Sequence, residues 1–132
     1  MIALDTNVVV RFVVEDDREQ SERSRAFLEA RSEEGTPCLV TDIVVCETVW
    51  VLESCYGFGR TEIAATLRAL LRACQLRFQS PDLVARALDR YRKGAGDVSD
   101  YLVDELGRAA GCTATVTFDR ALLAGDSRFI EP

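Results

Sequence analysis

Residues 37–56 read PCLVTDIVVCETVWVLESCY, and this stretch decides the fold class. The first five residues form a short apolar segment, which predicts a buried strand over 37–41. Asp42 then stands where a helix cap is expected, and the apolar run behind it predicts a helix over 42–56. A buried strand that leads directly into a helix is the repeating unit of α/β folds.

The same alternation continues on both sides of this stretch. Strands are predicted at 2–5, 37–41, 75–79 and 113–117, with a short edge strand at 128–130, and helices at 7–14, 17–34, 42–56, 61–74, 81–92 and 98–110. Strands that alternate with helices predict an α/β fold with a parallel sheet covered on both faces. The 132 residues show no repeat or linker, so we expect a single domain over 1–132.

The composition excludes several kinds of chemistry. The chain contains no histidine, which removes histidine acid–base catalysis and histidine-ligated zinc. Lys93 follows no glycine-rich loop, so a Walker-type phosphate site is excluded. The net charge of −6 argues against a general polyanion binder, although the arginines can still contact phosphates. The remaining functional groups are carboxylates, hydroxyls, amides and guanidinium groups.

Two further features concern the compartment. No apolar run approaches the roughly 18–20 residues that span a bilayer, and the N-terminus lacks a signal-peptide pattern, so we expect a cytoplasmic protein. The five cysteines form no CxxC pair, and most lie in apolar segments. We therefore expect reduced thiols that pack as small apolar side chains.

Two acids stand at the ends of predicted strands. Asp5 ends the first strand, and Asp119 follows the TATVTF segment at its carboxyl end. If both strands are parallel members of one sheet, both acids lie at the edge where open α/β sheets bind ligands. Each acid taken singly is better explained as a loop residue or a helix cap.

Glu47 lies in the apolar helix predicted over 42–56. The residues three and four positions away are all apolar: Ile43, Val44, Trp50 and Val51. A carboxylate on such a face needs a partner, because burying it alone costs several kcal/mol. The partner is either a bound cation or an arginine such as Arg11.

Three acids lie at the start of the helix predicted over 98–110. Asp97 suits the N-cap, and Asp100 would lie in the first turn, where the helix dipole favours negative charge. The wheel places Val98 and Leu102 inward and Asp100 away from them. Asp104 lies one turn further on the same face and is expected to be solvated.

Acids that converge on one sheet edge without histidine or lysine would repel each other. Such a cluster is stable when a divalent cation neutralises it, and oxygen ligands select the hard ions Mg²⁺ or Mn²⁺. Metal held in this way can activate water and stabilise the leaving oxygen in phosphodiester cleavage.

Four segments, taken in order, resemble the PIN domain. They are LDTN at 4–7, IVVCETVWVL at 43–52, DVSDYLVDELGRAAG at 97–111 and TATVTFD at 113–119. Each motif alone is weak, but the ordered set covers essentially the whole chain. Within the family, the length and layout are similar to VapC-type ribonuclease toxins of bacterial toxin–antitoxin pairs.

The resemblance assigns functional positions residue by residue. The family's acidic quartet matches Asp5, Glu47, Asp100 and Asp119, with Asp97 as a further candidate ligand or supporting group. Asn7 and Thr117 match polar positions that orient the acids through hydrogen bonds. The match departs at Asp104–Glu105, where small apolar residues are usual in the family.

The resemblance also implies an activity and partners. It implies a three-layer α/β/α PIN fold, Mg²⁺-dependent endoribonuclease activity with Mn²⁺ as a substitute, a homodimer, and a VapB-type antitoxin that covers the site. Asp5, Asp100 and Asp119 would hold metal, and Glu47 would bind metal or position the attacking water.

Two other classes of function are compatible with parts of the pattern. A phosphatase or phosphotransfer domain also uses an aspartate after a first strand, but Asn7 occupies the position of its second acid. A response-regulator receiver needs a lysine after a late strand, and Lys93 lies between a helix and a loop. A catalytically silent binding module is disfavoured because all four acids are present.

Overall fold

The computed structural model describes all residues from Met1 to Pro132. The helices are α1 (Thr6–Val13), α2 (Arg18–Glu33), α3 (Asp42–Tyr56), α4 (Arg60–Arg72), α5 (Pro81–Lys93), α6 (Val98–Ala109) and α7 (Arg120–Gly125). The strands are β1 (Cys38–Val40), β2 (Leu76–Phe78), β3 (Thr115–Val116) and β4 (Phe129–Ile130). The chain forms two compact units, residues 1–81 and residues 82–132.

The first unit contains α1 to α4 and a parallel pair of strands. β1 pairs with β2 in parallel, with Cys38 opposite Leu76. The predicted first strand contributes one parallel bridge, Ala3 to Leu39, and the Leu4 amide donates a hydrogen bond to the Leu39 carbonyl at 2.9 Å. This short pairing ends at Asp5, where α1 begins.

Helix α3 has well-defined ends. Thr41 caps its N-terminus, because the Thr41 hydroxyl accepts a hydrogen bond from the Val44 amide, so Asp42 is the first helical residue rather than the cap. Gly57 ends the helix with φ of 68°, a left-handed conformation that glycine adopts without steric cost. The buried face of α3 consists of Val44, Val45, Thr48, Val49 and Leu52.

The second unit contains α5 to α7 and the parallel pair β3–β4. Thr115 lies opposite Phe129, and Val116 lies opposite Ile130. Pro81 opens α5 at a position where its missing N–H costs nothing. The apolar core of the unit includes Val84, Leu88, Tyr91, Val98 and Leu102, all almost fully buried.

The predicted α/β class with parallel strand pairing is confirmed. Each predicted helix is present with ends within two residues of the prediction, and α7 is an additional helix. The single domain over 1–132 stays a prediction. No helix combines the length and the apolar character needed to cross a membrane.

All five cysteines are free thiols. Only Cys38 is buried, whereas Cys55, Cys74 and Cys112 are exposed. The expectation that most cysteines pack as core side chains is therefore wrong, because these three lie on the outer sides of their segments.

Candidate active site

Asp5 lies between the bridged segment and α1. It is the N-cap of α1, and its Oδ1 atom accepts a hydrogen bond from the Thr6 amide at 2.8 Å. Its other oxygen, Oδ2, has no hydrogen-bond partner. Asp5 is therefore both a helix cap and an exposed carboxylate with one oxygen available for a ligand.

Thr6 joins Asp5 to Glu47. The Thr6 side chain is buried at 8% exposure, and its hydroxyl donates a hydrogen bond of 2.6 Å to Oε2 of Glu47. Because the backbone of the same residue binds Asp5, the two acids are held by one threonine. Sequence reasoning did not single out Thr6, whose only signal is that a polar residue directly follows the acid at the end of a strand.

Glu47 has a different environment from the one its neighbours predicted. It is exposed, and so are the two large apolar residues on its face, Ile43 at 71% and Trp50 at 65%. The prediction of a carboxylate on a buried apolar face is wrong, because α3 packs through the opposite face. The alternative ion pair is also wrong, since Arg11 contacts Asp16 and Tyr56 instead.

Asn7 lies in the first turn of α1 and is exposed. Together with Asp5 it lines an open groove of about 1050 Å³ in the first unit, whose walls also include Arg11, Arg23 and Phe27. The Asn7 side chain forms no hydrogen bond with either acid. Its orienting role stays a prediction.

Asp100 and Asp97 form the start of α6. Asp97 is the N-cap residue, and its backbone amide donates a hydrogen bond of 2.8 Å to Oδ2 of Asp100. Oδ1 of Asp100 has no hydrogen-bond partner. The capping interaction therefore fixes the Asp100 carboxylate at the start of α6.

Asp119 is the N-cap of α7. Its Oδ1 atom accepts hydrogen bonds from the amides of Ala121 at 2.9 Å and Leu122 at 3.2 Å, and Oδ2 has none. The Asp119 amide donates a hydrogen bond of 3.0 Å to the Thr117 hydroxyl. Thr117 thus holds the backbone of Asp119 rather than its carboxylate.

Gly96 brings the starts of α6 and α7 together. A Cβ atom on Gly96 would lie 2.4 Å from Cδ2 of Leu122 and 3.2 Å from Oδ2 of Asp100. A larger residue would fit only if the Leu122 side chain moved, because Cβ contacts below 3.0 Å essentially never occur. The close approach places Asp100 beside the first turn of the helix that Asp119 caps.

The four acids of the quartet share one arrangement. In each, one oxygen accepts hydrogen bonds from neutral N–H or O–H groups, and the other is free; none forms an ion pair. Mg²⁺ commonly takes one or two protein carboxylates and completes its shell with water and phosphate oxygens. The donor set fits this ion. Neither unit by itself gathers three or more acidic or thiol side chains into a metal site.

Asp104 contradicts its prediction. It is fully buried rather than solvated, and Arg90 and Arg128 pair with its two oxygens at 2.8 Å and 3.1 Å. Burial alone would raise the pKa of Asp104, but hydrogen bonds from Thr115, Arg128 and Arg90 outweigh it and hold the pKa below its usual value. Neighbouring Glu105 is also buried and pairs with Arg86 and Arg90.

A comparison with known protein families explains the order of the acidic motifs along the chain. The PIN domain model matches residues 2–126, nearly the whole chain. The chain belongs to the PIN domain family. The resemblance drawn from the four motifs, and the PIN-like α/β fold that it implied, are confirmed.

A curated relative is similar over most of its length. It is a "VapC ribonuclease" from Aquifex aeolicus (strain VF5), 27% identical over 120 residues, which cover 91% of this chain and 88% of the relative. The similarity therefore extends over nearly all of both proteins.

Proposed function

We propose that this PIN domain is a Mg²⁺-dependent endoribonuclease, the toxin component of a VapBC-type toxin–antitoxin pair. The observation that carries the proposal is the set of four carboxylates, each oriented by an internal hydrogen bond and each keeping one oxygen free. The similarity to a VapC ribonuclease over 91% of the chain supports the same reaction class.

The proposed ligands are Asp5, Asp100 and Asp119, with Glu47 as a ligand or as the group that positions the attacking water. Mn²⁺ would substitute for Mg²⁺, since both are hard ions that take oxygen ligands. When bound, the metal activates water and stabilises the charge that develops on the leaving oxygen of a phosphodiester. Asp97, the N-cap residue of α6, is the candidate additional ligand.

Neighbouring groups orient the acids through hydrogen bonds. Thr6 holds Asp5 and Glu47 with its amide and hydroxyl, and the α7 amides hold Asp119. Because no arginine or lysine neutralises the four acids, the site repels RNA phosphate in the absence of a cation and accepts it in its presence. Metal binding and substrate binding are therefore linked.

The proposal also covers the partners, the oligomeric state and the domain organisation of the protein. We propose that a VapB-type antitoxin covers the acids, that the toxin is a homodimer, and that residues 1–132 act as one PIN domain. RNA as substrate implies a cytoplasmic location without a membrane partner.

The proposal is tested with purified protein freed of antitoxin. Cleavage of a structured RNA is followed on denaturing gels with Mg²⁺, with Mn²⁺ and with EDTA. We expect cleavage with either metal, none with EDTA, and a loss of at least about 100-fold in Asp5→Asn, because a ligand exceeds the 10–100-fold effect of an outer residue.

Asp17→Asn is the matched control. Asp17 caps α2 and accepts a hydrogen bond from the Gln20 amide at 3.0 Å, so it repeats the capping geometry of Asp5 outside the proposed site. Its substitution should leave cleavage unchanged. Undiminished cleavage by Asp5→Asn would overturn the mechanism, and Mg²⁺-dependent release of phosphate from a small phosphoester without RNA cleavage would favour a phosphatase.

A further inference from the structure

Five charged side chains of the second unit form one group, here called the arginine cluster. Its members are Arg90, Asp104, Glu105, Asp126 and Arg128. Arg90 is central: its Nη1 atom donates to Asp104 at 2.8 Å and to Glu105 at 3.1 Å, and its Nη2 atom donates to Asp126 at 2.8 Å. Asp104 and Glu105 are almost completely buried, whereas Arg90, Asp126 and Arg128 are partly exposed, so the cluster extends from the interior of the unit to its surface.

The cluster joins the helix of Asp100 to the strand that leads to Asp119. Asp104 lies one turn after Asp100 on α6. Its Oδ1 atom accepts a hydrogen bond of 2.5 Å from the hydroxyl of Thr115, which lies in β3. Any displacement of α6 along β3 would break this bond and the ion pair from Arg128 together.

The cluster also holds the far end of α7. Asp126 is the C-cap of that helix, and Arg90 binds its carboxylate, while the Arg128 amide donates to its other oxygen at 3.0 Å. Asp119 caps the opposite end of the same six-residue helix. A carboxylate therefore caps each end of α7. Asp119 keeps one oxygen free for a ligand, whereas Asp126 is bound to Arg90.

Arg90 is further confined by two aromatic rings. Its guanidinium carbon lies 5.1 Å from the Tyr101 ring centroid and 5.6 Å from that of Phe129. The Tyr101 hydroxyl accepts a hydrogen bond from the Gly96 amide at 3.1 Å, and Gly96 is the close-contact glycine beside Asp100. The cluster thus reaches the start of α6 by a second route.

Stability alone does not explain a buried cluster of this kind. Well-packed apolar residues commonly stabilise a protein as much as a buried ion pair, whereas ion pairs add strict direction and distance.

We propose that the arginine cluster positions Asp100 and Asp119 relative to each other and so determines the affinity of the second unit's acids for a divalent metal. The inference rests on the proposed function and names Asp104, Arg90 and Thr115 as positioning residues. They touch neither metal nor RNA, and they act by holding α6 and α7 in one relative placement.

The test compares Thr115→Val with wild type. This change removes the hydroxyl that binds Asp104 and keeps the β-branched shape and all ion pairs. Mn²⁺ affinity is measured by the loss of the free-ion electron paramagnetic resonance signal, and thermal midpoints are recorded on the same samples. We expect about tenfold weaker Mn²⁺ binding, as for other residues that orient metal ligands, and recovery in Thr115→Ser.

A second variant and a control separate positioning from general stability. Arg90→Lys should weaken Mn²⁺ binding at least as much, because a lysine cannot contact Asp104, Glu105 and Asp126 in the same geometry. Arg86→Lys should not, because Arg86 pairs with Glu105 from a half-exposed position and does not reach Asp104. Lower thermal midpoints with unchanged Mn²⁺ affinity in Thr115→Val and Arg90→Lys would overturn the inference alone. Wild-type protein that binds no Mn²⁺ would overturn the proposed function as well.

Discussion

Glu47 and Asp104 show two opposite ways of accommodating a carboxylate on a helix. Glu47 on α3 is exposed and receives one hydrogen bond from a neutral hydroxyl, so one oxygen stays free. Asp104 on α6 is buried, and arginines and a threonine occupy both of its oxygens. A carboxylate is available to a metal only when cationic side chains do not already saturate it, and this distinguishes the proposed ligands from the arginine cluster.

The largest expected effect is on stability, at Asp104. Asp104→Ala leaves Arg90 and Arg128 without their shared partner in the interior, and breaking a buried pair in this way costs about 3–5 kcal/mol. Urea unfolding measures the loss. The control Glu22→Ala removes the exposed pair with Arg18 and should cost less than about 0.5 kcal/mol. Equal losses in the two variants would show that Asp104 is not the buried, paired group described above.

Glu47 should give the opposite result. Glu47→Gln keeps the hydrogen bond from Thr6 but removes the charge that a metal or a water would use. We expect RNA cleavage to fall by at least about 100-fold while the unfolding free energy changes by less than about 0.5 kcal/mol. Single-turnover cleavage and urea unfolding on the same preparation check both statements, and a stable variant with full activity contradicts them.

Thr6 should have an intermediate effect. Thr6→Val removes the hydroxyl that holds Glu47 and keeps the shape of the side chain, so we expect cleavage to fall by about 10–100-fold and to recover in Thr6→Ser. Thr48→Val is the control, because the buried Thr48 hydroxyl has no hydrogen-bond partner. That control should keep full activity and gain roughly 1 kcal/mol of stability.

The smallest expected effect is a change in acid sensitivity. The native pKa values of Asp104 and Asp126 lie below the ordinary aspartate value, so the unfolded chain takes up protons first as the pH falls. The stabilisation that these two acids contribute is fully present above about pH 4 to 5, and it is lost as the pH falls through their native pKa values. In Asp104→Asn the slope of unfolding free energy against pH should be shallower by up to about 1.4 kcal/mol per unit. An unchanged slope between about pH 4 and pH 3 would exclude Asp104 as its source.

Local pattern predicted most of the secondary structure. Helix ends at Pro81 and Gly57 and the alternation of strands and helices follow from propensities that act over a few residues. Helix α7 was missed because its six residues are too short for a periodic signal. The strand at 2–5 was overestimated, since pairing with Leu39 depends on a distant partner.

The sequence predicted which residues form the site but not whether each of them is buried or exposed. Asp5, Glu47, Asp100 and Asp119 follow from motif order, and each has a free oxygen in the structure. Glu47 was predicted to lie on a buried face and is exposed, whereas Asp104 was predicted to be solvated and is buried. A helical wheel states which residues share a face, but which face is covered depends on elements far away in the chain.

The sequence by itself determined the α/β class, the helices and the identity of the acids, because these depend on residue type and short-range spacing. Only the tertiary structure decided which acids arginines neutralise. Arg90 reaches Asp104 across 14 residues and Asp126 across 36, and Thr6 reaches Glu47 across 41. Such pairings are set by how helices pack, and no local pattern encodes them, so the tertiary structure separates carboxylates that are free for a ligand from those that are already paired.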